Sequence, residues 1–218
     1  MKHRPYRLAV LTSHPIQYQA PLFRALAQTS EVDLDVLFCS QGSVGLHVDE
    51  GFGVEFAWDV PLLAGYRHSF LKNVSPRPNP SRFFGCVNPQ IFRALAADRY
   101  DAVWVNGWGL ASCWLGFIAA HRYGIPLLLR GETNVLSERG GLKGGARHFL
   151  LERLFGHVSA FLAVGGRNAD FYAAYGTLSE KVFLAPYAVD NDFFFTRSGS
   201  LANDRISLRE REGISPDL

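Results

Sequence analysis

The sequence predicts an α/β protein built on an open parallel sheet with helices on both faces. Short segments made almost entirely of apolar residues, such as 8–11 and 126–129, alternate with longer segments that have the spacing of helices. Strands that are apolar throughout are expected to be buried on both sides, which is typical of parallel sheets. The composition agrees, because 48% of the residues are hydrophobic and only 19% are charged, which provides a core and argues against disorder.

The first half of the chain contains one strand–helix–strand unit followed by a long irregular region. The predicted elements are a strand at 8–11, a helix at 21–27 and a strand at 32–38. Residues 40–57 are polar and rich in glycine, and residues 60–88 are rich in proline and have little periodicity. We expect a long loop or lid at 60–88, and a loop of that length in a compact domain usually has a function.

Regular alternation resumes in the second half. The predicted elements are a helix at 89–97, a strand at 102–105, a helix at 110–123, a strand at 126–129, a helix at 142–155, a strand at 160–164, a helix at 167–175 and a strand at 181–184. Gly124 and Gly176 stand where two of these helices should end, because glycine readily adopts the left-handed conformation that follows a helix. Strands separated by helices predict right-handed crossovers in a parallel sheet.

Charge, cysteine content and missing motifs argue against several classes of protein. The formal net charge is only +2, which gives no electrostatic basis for binding nucleic acid. Cys39, Cys86 and Cys113 are widely spaced, which predicts reduced thiols in a cytoplasmic protein. The sequence has no cysteine or histidine spacing typical of a metal site. It also lacks the G-x-G-x-x-G fingerprint, which argues against a small-molecule reductase.

Polar residues and glycines cluster where the predicted strands end. Ligands of open parallel sheets bind beyond the carboxyl ends of the strands, so these positions are candidate site residues. They are His14, Gln17 and Tyr18 after the first strand, residues 106–109 after the strand at 102–105, Arg130, Glu132 and Asn134 after the strand at 126–129, Gly165, Gly166, Arg167 and Asn168 after the strand at 160–164, and residues 186–188 after the last strand.

Three of these groups also have a plain structural interpretation. His14 is either a ligand contact or a hydrogen-bonded loop histidine. Arg130 and Glu132 form either a surface ion pair, which contributes little stability, or a fork for hydroxyl or carboxylate groups to which Asn134 adds an amide. The glycine pair is either a tight turn or an open helix N-terminus whose N–H groups bind an anion.

The helix predicted at 142–155 is basic and amphipathic. Its apolar positions are Leu142, Ala146, Phe149, Leu150 and Leu154, and its basic positions are Lys143, Arg147, His148 and Arg153, preceded by Arg139. A helix of this kind either packs on the sheet with a solvated basic edge or contacts an anionic membrane surface. Segment 139–155 is therefore a candidate for peripheral contact with the inner face of a membrane.

Five segments together resemble the N-terminal domain of the GT-B-fold glycosyltransferases of family 4, the group-1 glycosyltransferases. They are SHPIQYQAPLFRAL (13–26), DEGFG…WDVPLLAGY (49–66), LLLRGETN (127–134), VGGRNADFYAAYG (164–176) and KVFLAPYAVDNDFF (181–194). The last two are the most specific. The resemblance implies a Rossmann-like domain, the N-terminal half of a GT-B fold, over 1–195. It also implies that 196–218 begin an interdomain linker and that the C-terminal donor domain is absent from these 218 residues.

The resemblance further implies a retaining transferase that uses a nucleotide-sugar as co-substrate and needs no metal or other cofactor. Its acceptor would be a sugar or a lipid-linked sugar, in polysaccharide or glycolipid assembly. By the same resemblance, His14, Gln17 and Tyr18 line the cleft near the reacting centre. The predicted acceptor pocket consists of Asp49, Phe52, Trp58 and Tyr66, and the predicted donor side of the cleft consists of Gly165, Gly166, Arg167 and Asn168.

Departures from the family leave the catalytic residue unassigned. Many members carry a histidine just after the strand equivalent to 126–130, whereas this sequence continues with Gly131 and Glu132. His14 and Glu132 are therefore only candidates. Because family members bind the donor with the C-terminal domain, we expect the 218-residue chain to be inactive alone. The alternative function is a stand-alone binding module, or half of a split enzyme without catalysis of its own.

Overall fold

A computed structural model describes the chain except for residues 1–3, 43–46, 50–53, 57, 59, 97–98, 135–141 and 216–218. The chain divides into two compact units, Met1–Tyr187 and Ala188–Leu218. The first unit contains a large sheet with its covering helices, and the second contains two short helices.

The strands of the first unit form one parallel sheet and one small antiparallel pair. In chain order they are β1 (Tyr6–Thr12), β2 (Val32–Phe38), β3 (His47–Asp49), β4 (Val54–Phe56), β5 (His68–Phe70), β6 (Ala102–Asn106), β7 (Leu127–Arg130), β8 (Ala160–Ala163) and β9 (Val182–Leu184). The sheet has the order β5-β2-β1-β6-β7-β8-β9, and all its neighbouring strands run parallel. The predicted fold class is therefore confirmed.

The helices begin and end close to the predicted positions in most cases. They are α1 (Ala20–Gln28), α2 (Ile91–Ala94), α3 (Ala111–Tyr123), α4 (Leu142–Phe155), α5 (Gly166–Ala174), α6 (Asn191–Ser200) and α7 (Arg205–Arg211). Pro21 lies in the first turn of α1, where its missing N–H group has no helical partner to lose. Gly124 after α3 and Gly176 after α5 have φ of 64° and 75°, which confirms both as helix-ending glycines.

Helices cover both faces of the sheet because successive residues of each strand point to opposite sides. On one face, Val10 and Trp104 pack against Phe23 of α1. On the other face, Leu11 belongs to a larger cluster that includes Phe117 of α3, together with buried residues of α4 and α5. The continuous apolar strands of the sequence are thus buried on both sides, as predicted.

Three parts of the chain differ from the prediction. Region 60–88, predicted as a loop or lid, contains β5, which extends the sheet beside β2. It is also tied down by Asn88, a fully buried residue whose side-chain amide donates hydrogen bonds to the carbonyls of Cys39 and Leu71. An edge strand of three residues gives too short a pattern to be recognised beside prolines.

The other two differences lie in helices. The predicted helix at 89–97 is reduced to the four residues of α2. Residues 196–218, predicted to begin a linker, include the end of α6 and all of α7. α6 starts at Asn191, because the Asp190 carboxylate accepts a hydrogen bond from the N–H of Phe193 (3.0 Å) and caps the helix.

Candidate functional site

The carboxyl ends of β1, β6 and β7 surround a cavity of about 320 Å³, which we call the carboxyl-edge cavity. The sheet order reverses between β1 and β6, since β2 lies on one side of β1 and β6 to β9 lie on the other. Connections leave the sheet in opposite directions at such a point and open a crevice, which is where open α/β sheets usually bind ligands. The walls include Thr12, Asn106, Trp108, Arg130, Glu132 and Tyr187.

Arg130 places a buried positive charge in the carboxyl-edge cavity. Only 3% of the residue is exposed. Its Nη2 donates a hydrogen bond of 2.8 Å to the carbonyl of Ala185, and its guanidinium carbon lies 4.5 Å from the ring centroid of Tyr187. Burial lowers the pKa of the Arg130 guanidinium, but arginine does not lose its proton in proteins. The charge is therefore permanent.

Glu132, Tyr187 and Tyr18 form a polar and aromatic rim. The Tyr187 hydroxyl donates to Oε1 of Glu132, and the Tyr187 ring meets the Tyr18 ring edge-on with centroids 4.6 Å apart. Burial and the bond to Glu132 raise the pKa of Tyr187, while burial and the nearby charge of Glu132 raise the pKa of Tyr18. Both phenols therefore keep their protons at neutral pH. Glu132 is itself exposed, so a ligand can reach its carboxylate.

Trp108 forms an aromatic wall of the carboxyl-edge cavity, and Phe171 and Phe155 pack against its ring. Its ring stacks on Phe171 at 6.1 Å and meets Phe155 edge-on at 5.8 Å between ring centroids. Gly131 passes so close that a Cβ atom there would lie 2.3 Å from Cζ3 of Trp108. The Gly131 N–H donates to the Tyr172 hydroxyl at 2.9 Å, which fixes that approach. Position 131 thus accommodates glycine because a side chain would displace the indole.

The structure brings together some of the predicted strand-end residues. Tyr18, Arg130 and Glu132 line the carboxyl-edge cavity, whereas Asn134 is half-buried outside its lining. The wall also contains Asn106, Trp108 and Tyr187, which the sequence places at strand ends but to which it assigned no individual role. Their signal was a place directly after a predicted strand, which did not distinguish them from other strand-end residues.

His14 and Gln17 lie outside the lining of the carboxyl-edge cavity. The His14 ring is 2.9 Å from the Ser13 hydroxyl through Nδ1, and its Cβ faces the backbone of Gly42. In place of Gln17, the buried Gln19 lines the cavity, and its Oε1 accepts a hydrogen bond of 3.2 Å from Thr12. The turn that leads into α1 therefore presents Tyr18 and Gln19 to the cavity.

Of the predicted acceptor-pocket residues, the two whose side chains the structure describes, Trp58 and Tyr66, do not line the carboxyl-edge cavity. Tyr66 is buried in the core, where its hydroxyl donates to the carbonyl of Leu62 and burial raises its pKa to about 12. Trp58 is half-buried and does not line the carboxyl-edge cavity. Asp49 lies in β3, but its side chain and the whole of Phe52 lie outside the described residues.

The residues predicted on the donor side of the cleft open α5 and do not line the carboxyl-edge cavity. Gly166 and Arg167 are exposed, and Gly165 has an extended φ of 176° that any residue can adopt. Asn168 is buried and donates 2.7 Å to the carbonyl of Thr133, while accepting 3.1 Å from the N–H of Val164. Asn168 therefore positions the loop after β7, whose Thr133 borders the cavity.

The apolar stripe predicted for α4 divides between the core and the surface. Leu151, Leu154 and Phe155 face the core, whereas Phe149 and Leu150 are 65% and 50% exposed. The spacing of positions 151, 154 and 155 places them on one side of the helix, which turns the preceding pair outward. Leu150 borders an apolar groove of about 510 Å³ between α3 and α4, which we call the α3–α4 groove.

The described residues contain no group of three or more histidine, cysteine or acidic side chains placed to hold a metal ion. Cys39, Cys86 and Cys113 are buried and unpaired. Within the same part of the chain, the helices are too short or too polar to cross a lipid bilayer.

Known proteins resemble this chain in sequence and in fold. The model of a family described as "Glycosyl transferase 4-like domain" matches residues 15–188. Among solved structures, the HepE protein of Anabaena, crystallised with UDP and glucose, is 14% identical with a TM-score of 0.59. The comparison covers 95% of this chain and 50% of HepE. A search of curated proteins found no match.

Epimerases of nucleotide-sugars share the same architecture. The UDP-GlcNAc 2-epimerase of Neisseria meningitidis, bound to UDP-GlcNAc, is 15% identical with a TM-score of 0.54, over 95% of this chain and 53% of the epimerase. Identities this low show a shared fold, that of GT-B proteins, and nothing more. The chain spans about half the length of the solved structures that it matches.

Proposed function

The chain belongs to the glycosyl transferase 4-like domain family, and we propose that it is the acceptor-binding domain of a retaining, nucleotide-sugar-dependent glycosyltransferase in polysaccharide or glycolipid assembly. The carboxyl-edge cavity carries this proposal, because it combines a buried cation, an exposed carboxylate and an indole wall at the reversal of strand order. A second domain would bind the nucleotide-sugar, since the chain spans about half of the matched GT-B structures.

The carboxyl-edge cavity offers the contacts that a sugar acceptor requires. The indole of Trp108 provides an aromatic surface for the apolar face of a sugar ring. Glu132 accepts hydrogen bonds from hydroxyl groups, and the neutral phenol of Tyr18 donates or accepts them. Asn168 and Tyr172 act behind this wall as positioning residues, because they fix the backbone of Thr133 and Gly131.

In the proposed reaction, an acceptor hydroxyl oxygen bonds to the anomeric carbon of the donor as the bond from that carbon to the diphosphate oxygen breaks. The hydroxyl proton leaves with the diphosphate, and the sugar keeps its configuration. Basic groups of the donor domain would stabilise the charge on the diphosphate. This chain would contribute position, which lowers the barrier by holding the attacking oxygen within reach. Glu132 is the candidate catalytic residue that faces the cavity, and His14 is the candidate outside it.

Saturation-transfer NMR on the 218-residue chain with a panel of monosaccharides tests acceptor binding. We expect sugars to receive saturation, and Trp108→Ala to weaken their binding about tenfold through loss of stacking. Phe84→Ala is the matched control, because Phe84 is an aromatic residue 71% exposed outside the carboxyl-edge cavity. Equal binding by wild type and Trp108→Ala would remove the assignment of the site.

A measurement of sugar transfer tests whether the chain needs a separate donor domain for activity. We expect the 218-residue chain to transfer no sugar from UDP-glucose by itself and to gain activity only with a donor domain. Sugar transfer by the purified chain alone would contradict the proposal that a second domain binds the nucleotide-sugar. Sugar binding without activity in any pairing with a donor domain would favour the stand-alone binding module.

We further propose that the protein works in the cytoplasm, in peripheral contact with a membrane through α4. Phe149 and Leu150 are exposed together on this helix, which also carries Arg147 and Arg153. Exposed apolar side chains beside cations suit the interface of an anionic lipid surface. The buried, unpaired thiols of the core support a reducing compartment.

A further inference from the structure

Two buried N–H donors without partners belong to residues that line the carboxyl-edge cavity. The described residues contain four buried side-chain polar atoms that make no hydrogen bond, namely Trp104 Nε1, Asn106 Nδ2, Arg130 Nε and Thr177 Oγ1. Asn106 and Arg130 are direct partners in the pairing of β6 with β7, and both line the cavity. Trp104 lies two residues before Asn106 on the same face of β6. The guanidinium carbon of Arg130 lies 5.7 Å from the centroid of the Trp104 ring, but Trp104 itself does not line the cavity.

The unpaired nitrogen atoms of Trp104, Asn106 and Arg130 share one chemical property. Indole, amide and guanidinium N–H groups donate hydrogen bonds and accept none. Arg130 adds a positive charge that is 97% buried, and it makes no ion pair within the described part of the chain. Its visible partners are one carbonyl oxygen and the faces of two rings. A buried donor without a partner costs about 1–3 kcal/mol, so such a group is expected where a ligand completes it.

We infer that the acceptor carries an anionic group, a carboxylate or a phosphate, that binds to Arg130 and Asn106 in the carboxyl-edge cavity. This inference rests on the proposed function and narrows its substrate class. Neutral hydroxyl groups can both donate and accept, and they add no negative charge to that of Glu132 beside the guanidinium. A carboxylate or phosphate supplies only acceptor oxygens and the opposite charge, and its geometry matches the planar fork of a guanidinium.

Tyr187 and Glu132 determine how the anion reaches Arg130. The Tyr187 ring covers a face of the guanidinium, whereas the N–H groups lie in the guanidinium plane, so stacking and anion binding use different directions. Tyr187 is 41% exposed and is held by its bond to Glu132. The Glu132 carboxylate repels a second anion. The acceptor would therefore place its anionic group at Arg130 and its hydroxyl groups at Glu132, which fixes its orientation.

Three sugars of matched shape test the inference by saturation-transfer NMR on the 218-residue chain. Glucose is neutral, glucuronate carries a carboxylate and glucose 6-phosphate carries a phosphate at the equivalent position. We expect at least one of the two anions to bind ten or more times more tightly than glucose. We expect Arg130→Met to reduce that preference to less than twofold. The two anionic sugars distinguish a carboxylate-bearing from a phosphate-bearing acceptor.

Two further variants show whether a change in anion preference comes from the site itself. Arg122→Met removes an exposed arginine at the end of α3, outside the carboxyl-edge cavity, and should leave the anion preference unchanged. Asn106→Leu keeps the size of the side chain and removes one donor. It should reduce the preference three- to tenfold and serves if Arg130→Met does not fold.

The outcomes separate the inference from the proposed function. Equal binding of all three sugars, weakened by Trp108→Ala, would overturn the anionic acceptor and leave the sugar site in place. Absence of binding by every sugar would overturn both. An anion preference that survives Arg130→Met and Asn106→Leu would overturn the assignment to these residues. Displacement of glucuronate by a tenfold lower concentration of UDP would assign the charge to the donor and also overturn the inference.

Discussion

The carboxyl-edge cavity and the α3–α4 groove differ in chemistry more than in size. The groove is larger, about 510 Å³ against about 320 Å³, and apolar side chains such as Phe117 and Leu150 form much of its wall. A polar group at its border is satisfied, since Nδ1 of His157 lies 2.8 Å from the carbonyl of Arg153. The smaller cavity holds buried N–H donors without partners. Unsatisfied polar groups, rather than volume, therefore indicate where a specific ligand binds.

Helix α3 connects these two regions. The Cys113 thiol contacts the carbonyl of Asn106 at 3.6 Å, and the Trp114 indole donates 2.9 Å to the carbonyl of Trp108, so the first turns of α3 support the carboxyl-edge cavity. Phe117 and Ile118, one turn later, line the α3–α4 groove. Substitutions around this helix can therefore test whether the two regions depend on each other.

Phe155→Ala should have the largest effect, because it removes a buried ring of α4 that packs against the Trp108 wall. The Phe155 ring is 4% exposed and lies 5.8 Å from Trp108, 5.1 Å from Phe161 and 5.3 Å from Tyr175, between centroids. Loss of a buried phenylalanine costs about 3–5 kcal/mol of unfolding free energy. Urea denaturation measures it, with Phe84→Ala as an exposed control expected within about 0.5 kcal/mol of wild type. A loss below about 1 kcal/mol would show that the ring cluster is not rigid.

Gly131→Ala should affect the carboxyl-edge cavity and spare the α3–α4 groove. The added Cβ would meet the Trp108 indole, so the ring has to move, at a cost of about 1–3 kcal/mol for overpacking. We expect weaker sugar binding in saturation-transfer NMR and an altered near-ultraviolet circular dichroism signal. Gly145→Ala in α4, where a Cβ meets no atom within 4 Å, is the control. Sugar binding equal to wild type in Gly131→Ala would contradict the proposed role of the Trp108 wall.

Alkaline pH should destabilise the protein through the thiol of Cys113. Burial raises the pKa of this thiol from 9.0 to about 12. Between these values the unfolded chain releases the proton while the folded protein retains it, so the stabilising contribution is complete below pH 9 and declines as pH rises towards 12. At pH 10.5 the loss is about 1–2 kcal/mol. Urea midpoints at pH 7.5 and 10.5 measure it, and Cys113→Ala should reduce the difference. If Cys113→Ala shows the same difference in urea midpoint as wild type, other groups cause the loss of stability at alkaline pH.

Leu150→Asp should have the smallest effect on stability. It should change the α3–α4 groove and leave the carboxyl-edge cavity unchanged. Leu150 is half exposed, so we expect a change within about 0.5 kcal/mol and unaltered sugar binding. If α4 contacts membranes, sedimentation with vesicles of anionic phosphatidylglycerol should decrease several-fold. Leu178→Asp, at a leucine 58% exposed outside the groove, is the matched control. Equal sedimentation of wild type and both variants would contradict the membrane contact.

The sequence predicted the fold well where the signal was strong and local. β2 and α4 begin and end at the predicted residues, because a continuous apolar run and a long helical period are local features. β5 was not predicted, since three residues at a sheet edge obtain their structure from pairing with β2. The sequence left open whether Phe149 is buried, because the face of α4 that meets the sheet depends on packing.

The candidate site was predicted as a region rather than as a set of side chains. Three of the residues chosen for their strand-end positions, Tyr18, Arg130 and Glu132, line one cavity. The same reasoning could not show that Tyr66 belongs to the core, since aromatic residues suit a sugar site and a hydrophobic interior equally well. Nor could it select Gln19 over Gln17, because that choice depends on how the turn enters α1.

The sequence by itself determined most strands of the large sheet, their parallel arrangement and the edge of the sheet where polar residues collect. These follow from local hydrophobic patterns and from the rule that parallel strands need crossovers. Only the tertiary structure decided that Arg130 is buried beneath Tyr187, opposite Asn106, with N–H donors left unpaired. The burial of a charge depends on segments that are distant in sequence and meet only when the sheet has formed.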